Sequence, residues 1–273
     1  MVGLAEQAAR SAAAYAVLIV ISSMVRQIDL SNMSLLLALF AVSAPEIVRG
    51  EAFPSTQTDL FSLSVLILYM LMVAHPLEGK KEAAIKALDL PAMTKLYGKE
   101  PIFVFDPDDE SNRPVPGIHD NALAFWRIYP QFLRDIFIRA FTMGIRDPQN
   151  GRVRESEWRG AMVALRDTIF YCAHCSLENF YDAQALKAAG GNPGLCWACA
   201  ARLQLPPRIR INKSVVLLNH DAKLFPHHVD DTRLYDFSSP VAAVAWRPRR
   251  RGSRSRWRCS HPSDRSSRRR RPP

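Results

Sequence analysis

The sequence predicts a mainly α-helical lobe, followed by a compact four-cysteine ribbon and a small β segment. Three observations carry that reading. Residues 58–74, TDLFSLSVLILYMLMVA, are apolar on almost every helical face, and such a helix must be buried in a core or in lipid. Two later stretches, PQFLRDIFIRAFTMG and ESEWRGAMVALRDTIFY, carry apolar residues at helical spacing. Two CxxC pairs, Cys172 with Cys175 and Cys196 with Cys199, are separated by twenty residues.

Composition supports a globular chain. Its 273 residues are 48% apolar and 23% charged, enough for a sizeable core and unlike a disordered, collagen-like or small disulfide-scaffold protein. Residues 247–273 hold twelve arginines against Asp264, so this tail carries +11 while the whole chain carries +10. The rest is close to neutral, and the basic balance implies no nucleic-acid groove on the folded part. The tail has no apolar period and is expected to be disordered. With only Trp246 and Trp257 as stacking partners, it supports phosphate contacts but no specific nucleic-acid recognition.

Five segments follow in order. Residues 1–43 form an apolar N-terminal segment whose first run, 12–24, lies between Arg10 and Arg26. That run is too short for a spanning helix of about 20 residues, and it meets the demands of an export signal only loosely. Membrane insertion is not expected. Residues 44–171 form the lobe. After turns at Pro45, Gly50 and Pro54, helix 58–74 opens behind Ser55, Thr56 and Asp59, which can cap its N–H groups, and stops at His75-Pro76. Asp59, Ser62 and Ser64 would be poor lipid-facing residues, so this helix belongs at the centre of a core.

Residues 80–90 read as a short amphipathic helix and 101–105 as a strand or extended piece. In the polar loop that follows, Asp106, Asp108, Asp109 and Glu110 lack the spacing of a calcium loop and are expected to be solvated. His119-Asp120 reads as a turn or helix cap. The two stripes, Phe132, Leu133, Ile136, Phe137, Ala140 and Phe141, then Trp158, Ala161, Met162, Leu165 and Ile169, read as core. Residues 172–199 form the ribbon and 200–246 the β segment, with strands expected over 209–218 and 230–244. The tail, 247–273, completes the chain.

The chemistry lies in the cysteines. Cys172, Cys175, Cys196 and Cys199 have the spacing of two knuckles closing a tetrahedral four-thiolate zinc site. Four soft thiolates favour zinc and leave no position for a catalytic water, so the metal is expected to be structural. His174 lies inside the first knuckle but is not needed as a ligand. Paired CxxC units point to a reducing, cytoplasmic setting, with Cys259 left over in the tail. His220, His227 and His228 with Asp221, Asp230 and Asp231 would make a second metal cluster. Polar turn residues between strands are the preferred reading.

An ordered series of short motifs adds a family likeness. Ala44-Pro45-Glu46 precedes Asp59-Leu60-Phe61-Ser62-Leu63, then His75-Pro76-Leu77-Glu78-Gly79, Phe141-Thr142, Asp147-Pro148 and Arg152. The series resembles the C-terminal lobe of eukaryotic-like serine/threonine protein kinases, beginning at the Ala-Pro-Glu motif. The span 44–245 is similar to bacterial kinases in which a zinc ribbon and a small β segment follow that lobe. The runs FDPDDESNRPVPG, RIYPQFLRDIFIRAFT and LNHDAKLFPHHVDD carry that closer likeness. The resemblance implies that Glu46 pairs with Arg152, and that Asp59 holds the backbone of a catalytic loop. It also implies a family activity, phosphorylation of protein Ser/Thr from Mg-ATP in bacterial signalling.

The sequence departs from the family where the chemistry resides. It has no glycine-rich loop and no His-Arg-Asp, and Asp236-Phe237-Ser238 is the nearest thing to a DFG. Lys86, in Ala83-Ala84-Ile85-Lys86, imitates the strand lysine but follows Ala-Pro-Glu instead of preceding it. No catalytic or nucleotide-binding residue is assigned, and the chain alone is expected to be inactive. The expectation is a truncated or frame-shifted reading frame, with 1–43 and 247–273 out of frame. The alternative is a non-enzymatic, zinc-stabilised module that docks a protein partner.

Overall fold

The computed structural model describes residues 39–212, 214–219, 222–230, 232–233, 235–245 and 258–260. Residues 39–42 are helical, and after them helix α1 (Pro45–Val48) has proline in its first turn, where the missing N–H costs nothing. Helix α2 (Thr56–Met72) follows. Ser55 and Thr58 close its N-terminus reciprocally: Ser55 Oγ accepts the Thr58 N–H at 3.4 Å and Thr58 Oγ1 accepts the Ser55 N–H at 2.8 Å. Val73 ends it in the left-handed region at φ 49°, ahead of Pro76.

Helix α2 is the axis of the core. Phe61, Val65, Leu68 and Met72 are at most 1% exposed. Around them pack α5 (Asp120–Trp126), α6 (Gln131–Phe141) and α8 (Glu155–Asp167), with α7 (Met143–Arg146) between the last two. Both predicted stripes face inward except for Ile169, which falls in the strand after the second helix, and Leu133, Phe137, Phe141 and Trp158 are buried. The rings pack edge-on and offset: Phe61 and Phe141 at 5.8 Å, Phe137 and Trp158 at 5.0 Å. The hydroxyls predicted to lie inside are bonded there. Ser62 Oγ donates to the Val42 carbonyl at 2.7 Å, and Ser64 Oγ donates to that of Leu60 at 2.8 Å while accepting Trp158 Nε1–H at 3.1 Å.

The connection from α2 to α5 differs from expectation in three places. The predicted helix 80–90 is only α3 (Lys80–Ala83), after which Ile85 and Leu88 bend onto the core. A helix α4 (Leu90–Met93) and a π-helical turn, Thr94–Lys99, follow. Residues 101–105 are not a strand, because no neighbouring edge pairs with them; Val104 N–H donates to the Pro76 carbonyl instead. Asp106 is buried, not solvated. It accepts the Asp108 N–H at 2.9 Å and faces Arg146 at 3.7 Å. Asn112, wholly buried, ties the loop together: its Nδ2 donates to Leu77 and Ile102 carbonyls, and its Oδ1 accepts the Lys81 N–H. Gly79 passes so close that a Cβ would sit 2.1 Å from the Asn112 carbonyl oxygen.

Strand β1 (Ile169–Tyr171) leaves α8 and pairs antiparallel with β2 (Glu178–Phe180). Helix α9 (Ala183–Ala188) follows. The β segment holds a hairpin of β3 (Arg208–Ile211) and β4 (Ser214–Leu217). It also holds a three-stranded antiparallel sheet, β5 (Lys223–Leu224), β6 (Ala242–Ala245) and β7 (Arg258–Ser260). The predicted strand 230–244 is mostly turn and begins only at Ala242. Before it comes the short α10 (Pro226–Val229). Asp230 and Asp236 accept the backbone N–H groups of Thr232 and Ser238, the local side-chain bonding that breaks a strand. In the tail, β7 is an ordered piece; the other tail residues and 1–38 lie outside the described residues. Among the described residues no helix is long and apolar enough to cross a membrane.

Replacing Trp158 by alanine is expected to cost about 3–5 kcal/mol, by opening a cavity and removing the bond to Ser64. Urea unfolding followed by circular dichroism would register this as a lower midpoint with an unchanged slope.

Candidate metal centre

The two CxxC pairs fold into matching knuckles. In the first, the Cys172 N–H donates to the Leu177 carbonyl and the Ser176 N–H returns to the Cys172 carbonyl. In the second, the Cys196 N–H donates to Ala201 and the Ala200 N–H returns to Cys196. Both turns need a left-handed residue, Ser176 at φ 60° and Ala200 at φ 57°. Neither is glycine, and each such position costs on the order of 1 kcal/mol or more, persisting only where its surroundings enforce it.

The knuckles bring all four sulfurs within 4.8 Å of one another. Cys172 and Cys199 lie 3.7 Å apart, as do Cys175 and Cys196. A disulfide is about 2.05 Å long, so these are free thiols. A tetrahedron with metal–sulfur bonds of about 2.3 Å has edges of about 3.8 Å, and the observed separations fit a zinc-sized ion held by all four. The electrostatics point the same way. Burial would raise the Cys196 thiol, but the N–H groups of Cys199 and Ala198, with Asn179, outweigh it and hold it at about 6. At Cys175 the Leu177 N–H lowers the thiol, yet burial and the surrounding sulfurs push it up to about 12. Four thiolates this close would repel one another strongly, and a cation among them removes that repulsion.

Around the sulfurs stands a supporting shell. Asn179, 4% exposed, points Nδ2 at Cys196 Sγ, 3.7 Å away, and also donates to the Leu177 carbonyl. The His174 N–H points at Cys172 Sγ, while its side chain is exposed and takes no part. Phe170, Leu203 and Leu217 complete a small apolar cluster about the centre. Asp182 locks the ribbon to the lobe: it caps α9 through the Gln184 and Ala185 N–H groups and accepts the Gln131 N–H that opens α6. Burial raises its carboxyl, but these three N–H groups outweigh burial and hold it below the usual range. The Asp-Ala-Gln-Ala cap of α9 is visible in the sequence; the reach to α6 is not.

The other expected site residues sit in the lobe. Arg152 Nη2 lies 2.5 Å from Glu46 Oε1, across 106 residues of sequence, with side-chain exposures of 2% and 14%. Arg152 Nε also donates to the Gly144 carbonyl, and its guanidinium lies over Phe61 at 5.6 Å. Gly151 makes that approach possible, since a Cβ there would meet the Met143 carbonyl oxygen at 2.3 Å. Asp59 lies on the first turn of α2, exposed, and accepts no side-chain hydrogen bond among the described residues. Lys86 is exposed in a bend. Asp120 accepts the Gly117 N–H in a turn, while His119 pairs with Glu82 at 3.2 Å. His220, Asp221 and Asp231 lie outside the described residues. Among the described residues, His227 and His228 approach Asp167, not Asp230.

The chain is thus mainly helical, with four cysteines gathered in a possible metal site. No protein-family model matches the sequence, and neither a curated protein nor a solved structure matches it.

Two outcomes are expected. The purified chain should bind one zinc ion at the four thiolates, and Asn179→Ala should weaken that binding about 10–100-fold at unchanged stoichiometry; competition with a chromogenic chelator measures both. Arg152→Met should lower stability by about 3 kcal/mol, because Glu46 is left with a buried, unpaired charge, as read from urea midpoints.

Proposed function

We propose that residues 44–171 form a protein-kinase-like C-lobe closed by a zinc ribbon, and that this chain alone transfers no phosphate. The buried Glu46–Arg152 pair carries the reading. The family likeness couples the glutamate of Ala-Pro-Glu to a late arginine, and these two side chains, 106 positions apart, meet at 2.5 Å. Such a pair holds the end of an activation segment against the lobe. Asp59, at the start of the central helix, faces solvent, as it would with no catalytic-loop backbone to hold.

Phosphoryl transfer needs a loop over the phosphates, a lysine on them, a base for the hydroxyl and an aspartate for magnesium. None of these is in the sequence. In a complete kinase of this type the substrate would be a protein Ser/Thr hydroxyl and the donor Mg-ATP. This chain's contribution would be the rigid base on which the activation segment rests. The zinc, held by Cys172, Cys175, Cys196 and Cys199, would brace the ribbon and take no part in chemistry.

A second reading, a non-enzymatic module that docks a protein, is favoured by one observation. Tyr69, Met70 and Val73 at the end of α2 are 41%, 59% and 53% exposed, an apolar surface suited to a partner.

Radiolabelled ATP with the chain and a generic protein substrate should give no label above background. Supplying in trans a polypeptide bearing a kinase N-lobe and catalytic loop should restore labelling, and Asp59→Ala should abolish it. Label from the chain alone would overturn the inactivity. Failure of complementation with both pieces folded would leave the docking module.

A further inference from the structure

The end of α8 meets α10 in a cluster that the kinase-like reading leaves unused. Asp167, the last residue of α8, and His227 and His228 of α10 bring a carboxylate oxygen and two ring nitrogens within 4.8 Å of one another. His227 Nε2 and His228 Nε2 each lie 3.2 Å from Asp167 Oδ2, and the two rings are 7% and 5% exposed. Burial raises the Asp167 carboxyl, but the ring nitrogens beside it, that of His228 and then that of His227, outweigh burial and hold it below the usual carboxylate range.

Two histidines and a carboxylate suit a metal ion, and the hydrogen-bond partners decide against one. A histidine ligates through a nitrogen that carries no proton, while its other nitrogen donates to a neighbour. His228 Nδ1 accepts the Phe225 N–H at 2.9 Å. A backbone amide only donates, so Nδ1 is bare and the proton of the neutral ring sits on Nε2, the atom facing Asp167. That N–H fills the direction an ion would need. Its approach to Asp167 is close but poorly aligned, which leaves Nε2 without a well-formed hydrogen bond. His227 has the opposite arrangement. Its Nδ1 lies 3.2 Å from the Asp236 carbonyl oxygen and its Nε2 3.2 Å from Asp167 Oδ2. Both partners are acceptors, and only a doubly protonated ring donates to both.

We propose that the cluster is a proton-operated latch: charged His227, clamped between the Asp167 carboxylate and the Asp236 carbonyl, holds the segment 222–245 on the end of α8. The proton stands where a metal would. The segment carries its own packing for the latch to secure. Phe237 lies 4.3 Å from the His227 ring and 5.1 Å from that of Phe225, and Tyr235 Oη donates to the Ser156 carbonyl at 2.8 Å.

Among the described residues, the other charges facing His227 are accounted for. Arg166 lies 3.6 Å from Asp167 Oδ1 and stacks on Phe237 at 3.9 Å. Arg233 pairs with the Asp236 carboxylate, and His228 is neutral. Losing the His227 proton leaves one of its two acceptors without a donor. The latch is therefore closed while the His227 ring carries both protons and opens when it loses one.

Histidine-selective nitrogen-15 NMR on the intact, zinc-loaded chain tests this without altering any residue. At pH 6.5, His228 should show the Nε2–H tautomer and His227 both nitrogens protonated. Between pH 6.5 and 8.5, limited proteolysis within 222–245 should rise several-fold, and Asp167→Asn should flatten that dependence. A His228 proton on Nδ1 would overturn the proposal, as would a cleavage rate indifferent to pH. So would a second equivalent of cobalt(II) that is bound beside the four-thiolate ion and lost in His227→Ala; that result would establish a metal site instead.

Discussion

Helix α2 has no polar face along seventeen residues, and the lobe is arranged to satisfy that constraint. A helix of this kind is stable in water only when other elements cover it. The stripes of α6 and α8 and the aromatic loop around Phe103 do so. Burial then dictates what happens to every polar group carried inside. Ser64 bonds to its own helix and to Trp158, ninety-four residues on. Arg152 can lie beneath Phe61 only because Glu46 meets it. An unpaired guanidinium there would cost several kcal/mol.

The ribbon obeys a different constraint. Its apolar cluster consists of five buried residues, two of which are the cysteines Cys172 and Cys196. So small a core is marginal without a staple, and a structural metal is a direct source of folding energy. The left-handed Ser176 and Ala200 are where the knuckles hold backbone strain. Asp182 then joins the ribbon to the lobe, since one carboxylate caps a helix on each side. Loss of the metal should therefore be felt at the start of α6 as well as in the knuckles. The β segment meets the far end of α8 at Asp167, which faces His227 and His228.

What was legible in the sequence was local or periodic. The helical stripes, the Ser55 cap and the CxxC spacing each declare themselves within a few residues, because they reflect the 3.6-residue turn, a single side-chain bond and the bite of a knuckle. Local pattern also misled. Residues 80–90 have helical spacing, yet Ile85 and Leu88 reach the core only if the chain bends after Ala83. Residues 230–244 look extended, yet two aspartates capture nearby N–H groups and turn the chain.

The sequence by itself determined the three long helices, which of them lies innermost and which four cysteines converge. The pairing of Glu46 with Arg152 was legible only through a family likeness, as no local pattern links residues 106 positions apart. Tertiary structure alone decided the partners of Asn112, Asp167 and Asp182. Their side chains are short and polar and suit a surface turn equally well. What distinguishes them is burial against groups supplied by other elements. A buried polar atom must find a bond, and which atom it finds is set by how the helices pack.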